Sequence, residues 1–336
     1  MRRVFKVLVF LLISGHVYSQ DKPTSFDILK IMSNSKVEYQ VKELKKPVRC
    51  ADYSRKLNFN NSFRVIKDST ITTSAYNIKV LSEPMLQKAE SYFQAKDYTN
   101  ALKSYKTALK EDSTLYFVMT YIGQMYEKQR DNANCVYWYK KAISKNYIDY
   151  MAHWFLADSY ILTGNLKNSI DEIVIARILN RNNQKIKKSM NSIFLKAKRD
   201  TLDWYFTPQI EINKIAEGKV DVATNAKWTG YAMANALWKY EPGYAESKGV
   251  KKSERSTLED RECLNVLLNA LENSKTKITN DPQLRILKEA AEKDLLDEYI
   301  LYEIILPDHP YIAFQLSGVT ISGIKDYILN VRNKIK

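Results

Sequence analysis

The sequence contains little glycine, proline, cysteine or histidine. Its 336 residues include 9 Gly, 8 Pro, 3 Cys and 3 His. So few Gly and Pro argue against a long turn-rich β architecture, because tight turns between strands depend on these residue types. The chain is 45% apolar and 27% charged, which is typical of a folded protein rather than a disordered one. The composition therefore favours a folded protein without extended turn-rich sheets.

No apolar run in the sequence reaches the length of about 20 residues that a membrane-spanning helix needs. The run VLVFLLISG at residues 7–15 follows the basic stretch MRRVFK, and Val17 and Ser19 permit cleavage before Gln20. This pattern predicts a signal peptide over residues 1–19, and no Cys follows the run to carry a lipid anchor. We therefore expect a secreted protein, either periplasmic or extracellular.

Positive charge is in excess, with 52 Lys and Arg against 38 Asp and Glu and a net charge of +14. Loss of Arg2, Arg3 and Lys6 with the signal peptide subtracts three charges and leaves +11. A basic chain indicates anionic partners when its charge is clustered. Here the lysines are spread singly or in pairs, so a solvated basic surface is favoured, and we expect no specific nucleic-acid partner.

The three cysteines give no metal-binding pattern. Cys50, Cys135 and Cys263 lie far apart and form no C-x-x-C pair, which argues against a zinc site. Cys135 stands where helix packing needs a small residue, so we expect it to be buried. A disulfide between Cys50 and another cysteine stays open, because an oxidising compartment would permit it.

Few residues could support catalysis. Beyond the signal peptide the only histidines are His153, which we expect to be structural, and His309, which could join Asp297, Glu298 and Glu303 at a metal if another ligand converged there. No phosphate-binding Gly-rich loop, G-x-S-x-G or H-E-x-x-H motif occurs. We therefore expect no catalytic residue, no metal and no cofactor, although a paired-carboxylate hydrolase would leave no sequence signature.

One pattern returns every 34 residues. The stretch KDYTNALKSYKTALKED (96–112) shares its skeleton with RDNANCVYWYKKAISKN (130–146) and GNLKNSIDEIVIARILN (164–180). In each copy, small and aromatic or aliphatic residues lie three and four positions apart, which places them on one helix face. The segment before each copy has a small residue three positions ahead of a Tyr, and a short polar turn follows. Each unit is therefore predicted to be a helix, a turn and a second helix.

These units resemble tetratricopeptide repeats, with units at 82–115, 116–149 and 150–183. The residues that match the signature are Ala89, Tyr92, Ala101, Tyr105 and Ala108, then Gly123, Tyr126, Tyr139 and Ala142, then Ala157, Tyr160, Gly164 and Ala176. The units depart from it at Ser113, Tyr147 and Arg181, where the family has Pro, and at Ser169 and Ile173 in the third second helix. The resemblance implies an α-solenoid of three stacked repeats, which the segment 183–200 would close as a capping helix.

The flanks lack the repeat. Residues 20–81 are predicted to be an N-terminal extension, with a helix at FDILKIM and strand-like content at FRVIKD and YNIKVL. Residues 201–336 are predicted to be a mainly helical C-terminal domain with a short β-hairpin around Gly218. The predicted fold is thus mostly α, with a signal peptide at 1–19 and the repeats with their capping helix at 82–200.

Four helices are expected in the C-terminal domain. AKWTGYAMANALWKYE is apolar almost all round and predicts a buried helix that ends at Pro242. A second helix opens at Ser256, which has Glu259 at the spacing of a capping box. A third runs from Pro282 to about Leu306, since Pro is tolerated at the first helical position. The last covers 321–335.

Stacked helical hairpins present a concave surface built largely from their first helices. In the family that these repeats resemble, this groove binds extended peptides or helices of partner proteins. The groove positions, carried over unit by unit, are Leu86, Glu90 and Phe93, then Thr120, Gln124 and Glu127, then Trp154, Asp158 and Ile161. Lys and Asn, with which some family members grip a C-terminal carboxylate, are absent from these positions. The set suits an apolar or weakly basic segment.

Two functions from different classes follow. The first is a non-catalytic scaffold or adaptor of the cell envelope that holds a protein partner in the groove, and in that case the protein is not an enzyme. The second is a hydrolase or glycan-binding protein whose site lies in the C-terminal domain, with the repeats as adaptor. The repeats could equally brace the domains beside them. Convergence of Glu298, Glu303 and Asp308 in a deep pocket would favour the second function. The oligomeric state is not predicted.

Overall fold

The computed structural model describes residues 23–53, 62–68, 70–78, 81–251, 256–278 and 280–336, so the predicted signal peptide lies outside the described residues. The regular elements follow one another in the order α1 (Ser25–Asn34), β1 (Glu38–Glu43), β2 (Ser62–Lys67), β3 (Thr70–Ala75), α2 (Glu83–Gln94), α3 (Tyr98–Glu111), α4 (Tyr116–Lys128), α5 (Asn132–Lys145), α6 (Tyr150–Leu162), α7 (Leu166–Leu179), α8 (Gln184–Lys196), β4 (Ile210–Ala216), β5 (Lys219–Thr224), α9 (Thr229–Tyr240), α10 (Tyr244–Ser247), α11 (Thr257–Asn273), α12 (Pro282–Glu292), α13 (Leu296–Tyr299), α14 (Leu306–Asp308) and α15 (Gly318–Tyr327). The predicted fold class, a helical solenoid with a mainly helical C-terminal region and a short hairpin, is confirmed.

Two compact units make up the described chain, and each is built from two separate stretches of sequence. The sheet unit combines the described residues up to Ala51 with those in Tyr205–Ile300. The repeat unit combines the described residues of Asp52–Trp204 with Leu301–Lys336. The segments expected from the sequence are contiguous, whereas the N-terminal extension and the C-terminal region each contribute residues to both units.

The repeat unit contains the three predicted helix pairs, α2 with α3, α4 with α5, and α6 with α7. Each second helix begins at a polar cap, because the side chains of Asp97, Asp131 and Asn165 accept bonds from backbone N–H groups three residues further on. These caps recur at the 34-residue interval. The sequence therefore repeats the start signal of the second helix as well as its packing face.

Small residues recur because the two helices of a pair approach closely. Ala89, Ala101 and Ala108 are fully buried in the first repeat. In the second repeat, a Cβ added to Gly123 would lie 2.5 Å from the ring of Tyr139, closer than packed carbon atoms come. The predicted capping helix is present as α8, which begins after the Asn183 cap.

Two further parts complete the repeat unit. Strands β2 and β3 form an antiparallel hairpin ahead of the first repeat. Of the two strand-like stretches expected there, FRVIKD overlaps β2. The described residues of YNIKVL lie outside the strands, and β3 is the preceding TITTSA. The segment 301–336 carries α14 and α15, and the predicted last helix begins earlier, at Gly318, because the side chain of Ser317 caps it.

The long helix predicted from Pro282 to Leu306 is wrong. Helix α12 ends at Glu292, and Asp294 adopts a left-handed backbone conformation with φ 57°. The N–H of Leu295 then bonds to the carbonyl of Ala290, which is the bonding pattern of a helix C-terminus. The chain resumes as α13 and continues through a wide turn at Ile300–Ile305. Local apolar spacing did not reveal this stop, since no Gly or Pro marks it.

The sheet unit is organised around a three-stranded sheet of order β1-β5-β4. Strands β4 and β5 form the predicted antiparallel hairpin, and Gly218 adopts a positive φ of 66° at its turn. Strand β1 pairs with β5 in parallel. Helix α9, which is buried from Gly230 to Trp238, packs on this sheet. Its burial confirms the helix expected from the nearly continuous apolar sequence.

Candidate protein-interaction surface on the repeats

The nine predicted groove residues lie on the first helices α2, α4 and α6, at the same three positions in each. These positions are four and three residues apart, so each helix contributes one stripe to a shared face. The structure divides the stripes into two sets. One set, at the first of the three positions, is Leu86, Thr120 and Trp154. The other, toward the helix ends, is Glu90, Phe93, Gln124, Glu127, Asp158 and Ile161.

The set nearer the helix starts is packed to different degrees: Thr120 is buried, whereas Leu86 and Trp154 are half-buried, as most of the second set is. Thr120 is 1% exposed, and its hydroxyl donates to Oδ2 of Asp149 at 2.6 Å. Leu86 packs against the apolar cluster of the first repeat. Trp154 stacks on Phe155 with ring centroids 5.1 Å apart, and its Nε1 atom is buried. The prediction that Thr120 lines an open groove needs correction, because the repeat spacing carries no information about its bond to Asp149.

The hairpin β2–β3 and the residue after it pack near the start of α4, with the ring of Phe63 5.8 Å from that of Tyr116. The ring of Tyr76 packs on Phe117 of α4 at a centroid distance of 5.0 Å. Asn146 anchors the hairpin, since its Oδ1 accepts from the backbone N–H of Arg64 at 3.1 Å and its Nδ2 donates to the carbonyl of Ser62 at 3.3 Å. Tyr76 and the hairpin therefore cover the start of α4.

The second set remains accessible, and we call it the open strip: Glu90, Phe93, Gln124, Glu127, Asp158 and Ile161. Glu90 is exposed and the other five are half-buried. The open strip runs across all three first helices at the 34-residue interval. Each of its residues is at least partly exposed to solvent, and hence open to a partner.

Hydroxyl groups from neighbouring helices hold the acidic residues of the open strip. Tyr105 donates to Oε2 of Glu90 at 3.2 Å, and Tyr139 donates to Oε2 of Glu127 at 3.0 Å. These tyrosines occupy equivalent positions on the second helices of their repeats. Both glutamate carboxylates are thus oriented by a residue that the repeat pattern already required for packing.

Asp158 differs from the two glutamates in its surroundings. Its Oδ1 atom accepts a hydrogen bond of 2.7 Å from Ser189 of the capping helix α8. Burial raises the pKa of its carboxyl, the hydrogen bond from Ser189 lowers it, and the like charge of Glu127 raises it. Together these effects leave the pKa of Asp158 above its ordinary value. Glu127 and Asp158 therefore form a like-charged pair on neighbouring first helices.

Elsewhere in the repeat unit, a group of buried acidic side chains is neutralised by buried arginines. Glu303, completely buried, accepts from Arg181 at 3.3 Å and from the Tyr327 hydroxyl at 2.9 Å, and it also bonds to Arg332. Asp203 contacts Arg332 at 2.9 Å as well. Sequence reasoning missed this network, although Arg181 was visible as the residue that replaces the expected Pro at the end of the third unit.

The acidic residues near the C-terminus have different surroundings. Glu303 is an ion-pair partner of arginines rather than a solvated group or a metal ligand, whereas Asp308 and His309 are exposed and Glu298 is half-buried. Among the described residues, no group of three or more His, Cys, Asp or Glu is arranged to hold a metal ion. His153 is buried as expected, with Nδ1 2.5 Å from Glu172.

In the sheet unit, the large aromatic residues of α9 and of the turn before it belong to the core. Trp228, Tyr231 and Trp238 are each at most 8% exposed. Trp238 donates to Glu262 at 3.2 Å, which satisfies its indole nitrogen in the interior. All three cysteines are free thiols, with Cys50 exposed and Cys135 and Cys263 buried. Of the helices that the structure describes, none combines the length and apolar character required to cross a membrane.

The helix pairs, their 34-residue interval and the close contact at Gly123 define residues 82–183 as tetratricopeptide-type repeats. No protein-family model matches the chain. The search of curated proteins gives no match either.

Solved structures of TPR proteins resemble about a third of this chain. The Arabidopsis OM64 TPR domain shares 15% identity, with a TM-score of 0.32, and the match covers 34% of this chain and 93% of that one. The Yersinia enterocolitica secretion chaperone SycD, solved with a peptide of the translocator YopD, shares 14% identity, with a TM-score of 0.34, over 35% of this chain and 96% of its own. The Sgt2 TPR domain of Aspergillus fumigatus shares 13% identity, with a TM-score of 0.33, over 35% and 80%.

Proposed function

We propose that this protein is a non-catalytic scaffold of the cell envelope that binds a protein partner along the open strip. The observation that carries the proposal is the partial exposure of equivalent residues in every repeat. All six residues of the open strip are half-buried or exposed, whereas Thr120 on the same face is buried. Stacked repeats of this kind use such extended concave surfaces for binding. The secretion signal predicted at residues 1–19 supports a periplasmic or extracellular location.

A bound segment would find both apolar and polar contacts on the strip. Phe93 and Ile161 supply apolar surface on the first and third repeats, and Gln124 supplies an amide between them. The tyrosine hydroxyls that hold Glu90 and Glu127 limit the entropy lost when a partner orders these side chains. A preformed strip of this composition suits an extended or helical protein segment.

Site-specific photo-crosslinking in intact cells tests the proposal. A photoreactive phenylalanine analogue is placed at Gln124, in the middle of the strip, and in a matched variant at Tyr137, which is 55% exposed on the second helix of the same repeat. We expect one crosslinked protein from position 124, none from position 137, and loss of the crosslink when Phe93→Ala is added. Equal crosslinking from both positions, or none from position 124, would contradict binding at the strip and favour a bracing role.

A further inference from the structure

The open strip carries a charge opposite to that of the chain as a whole. Three of its six residues are the carboxylates Glu90, Glu127 and Asp158, and none is a base, whereas the whole sequence has a net charge of +14. The acidic character is therefore a local property of this face. A charge pattern at an interface acts chiefly on the choice of partner and the rate of encounter.

The chain supplies little positive charge to this face. Within the described residues, Glu127 of the strip forms an ion pair with the next residue, Lys128, with 3.5 Å between Oε1 and Nζ. Both side chains are more than a third exposed, and such pairs contribute about 0–1 kcal/mol. The other polar contacts of the three carboxylates come from neutral groups of Tyr105, Tyr139, Ser189 and Gln94.

The carboxylate pair on α4 and α6 is the centre of this charge. Glu127 and Asp158 stand on the contacting helices α4 and α6, and the like charge of Glu127 helps to raise the pKa of the half-buried Asp158 carboxyl. The indole of Trp154 lies one helical turn before Asp158 on α6. A cation placed between the two carboxylates would relieve their repulsion and keep both bonds from Tyr139 and Ser189.

We propose that the open strip selects a partner segment that carries Lys or Arg side chains, with a cation seated between Glu127 and Asp158 and apolar residues on Phe93 and Ile161. The inference rests on the proposed function, since it names the chemistry of the segment that the strip binds. The partner is therefore a cationic amphipathic segment of another protein.

Selection from a displayed library of random 12-residue peptides, with the mature full-length protein as bait, tests this inference. The comparison uses wild type, Glu127→Gln with Asp158→Asn, and a control with the same change in charge, Glu111→Gln with Asp308→Asn, at two exposed positions outside the strip. We expect wild type and control to enrich Lys and Arg. The selected peptides should bind about tenfold more weakly to the strip variant, a loss of about 1.4 kcal/mol. Their affinity should also fall as salt is raised, because salt screens exposed charge.

The outcomes separate the two proposals. If peptides are selected and lose binding with Phe93→Ala, but contain no excess of Lys or Arg, the strip binds protein and the cationic preference is overturned. If peptides are cationic but bind the strip variant as tightly as wild type, the preference belongs to another surface and the inference is again overturned. If no peptide depends on any strip residue, the proposed function itself fails, and the inference fails with it.

Discussion

The acidic residues of the repeat unit lie in two opposite kinds of environment. Glu303 is completely buried and bonded to two arginines and a tyrosine, so its charge is balanced inside the chain. Glu127 and Asp158 are partly exposed, stand on the contacting helices α4 and α6, and have charges of the same sign. A buried charge without a partner costs several kcal/mol, so the interior must be complementary, whereas a surface can hold unbalanced charge at small cost. The unbalanced charge is therefore where recognition by another molecule is expected.

Substituting Glu303 should give the largest effect, and it tests the buried side of this comparison. Glu303→Ala would leave Arg181 and Arg332 in the interior with less compensating charge. We expect the free energy of unfolding to fall by about 3–5 kcal/mol, as is found when one partner of a buried ion pair is removed. Urea unfolding followed by circular dichroism measures it.

Asp308→Asn is the matched control for this substitution, since Asp308 is an exposed acid in the same segment. An exposed substitution away from such contacts should change the free energy by no more than about 0.5 kcal/mol. If Glu303→Ala were as mild as the control, the network would not hold the segment 301–336 to the repeats.

The pH dependence of Asp203 should be the next largest effect. Burial alone would raise the pKa of this carboxyl, but the guanidinium groups of Arg181, Arg332 and Arg177 outweigh burial and hold the pKa well below its usual value. A depressed pKa in the folded state means that this contribution to stability is complete above about pH 4 and is lost as the pH falls toward the folded pKa. Wild type and Asp203→Asn should therefore differ most near neutral pH.

Urea unfolding of both proteins at pH 7, 5, 4 and 3 checks this expectation. Other carboxyl groups titrate in both proteins, so the difference between the two curves is the informative quantity. That difference should narrow as the pH falls below about 4. A difference that stayed constant across this range would mean that the charge of Asp203 is not what stabilises the network.

Much of the repeat region follows from local sequence. Close helix packing can be predicted directly from the 34-residue interval and from the small residues Ala89, Ala101 and Gly123. A larger side chain at these positions would collide with the facing helix. The polar caps at Asp97 and Asp131 recur with the same interval. Where each repeat buries its own residues, the pattern and the structure agree.

What the sequence did not reveal depends on distant residues. Strand β1 pairs with β5, yet Tyr39 and its partner Val220 are far apart along the chain, and no local period records such a pairing. The burial of Thr120 depends on Asp149, and the coverage of α4 depends on Tyr76 from the N-terminal extension. The structure places the nine predicted residues on the first helices, as the repeat pattern implies, but that pattern could not show that Thr120 is buried.

The smallest effect should come from Asp158, and it tests the surface side of the comparison. Burial and the like charge of Glu127 leave the pKa of this carboxyl above its ordinary value, so at neutral pH its ionisation weakens the folded state. Asp158→Asn removes that charge and keeps an oxygen that can accept from Ser189. The free energy of unfolding at pH 7 should stay the same or rise by up to about 0.5 kcal/mol.

Asp171→Asn provides the contrast for this last measurement. Asp171 is half-buried, like Asp158, but it forms an ion pair with Lys325, with 2.8 Å between Oδ1 and Nζ. Loss of a partly exposed pair should lower the free energy of unfolding by about 0.2–1 kcal/mol, the opposite sign to Asp158→Asn. If both substitutions were equally destabilising, Asp158 would already be compensated within the chain. The strip would then have no uncompensated charge to offer a cationic partner, so the sign of this small difference decides whether the carboxylate pair serves the fold or its ligand.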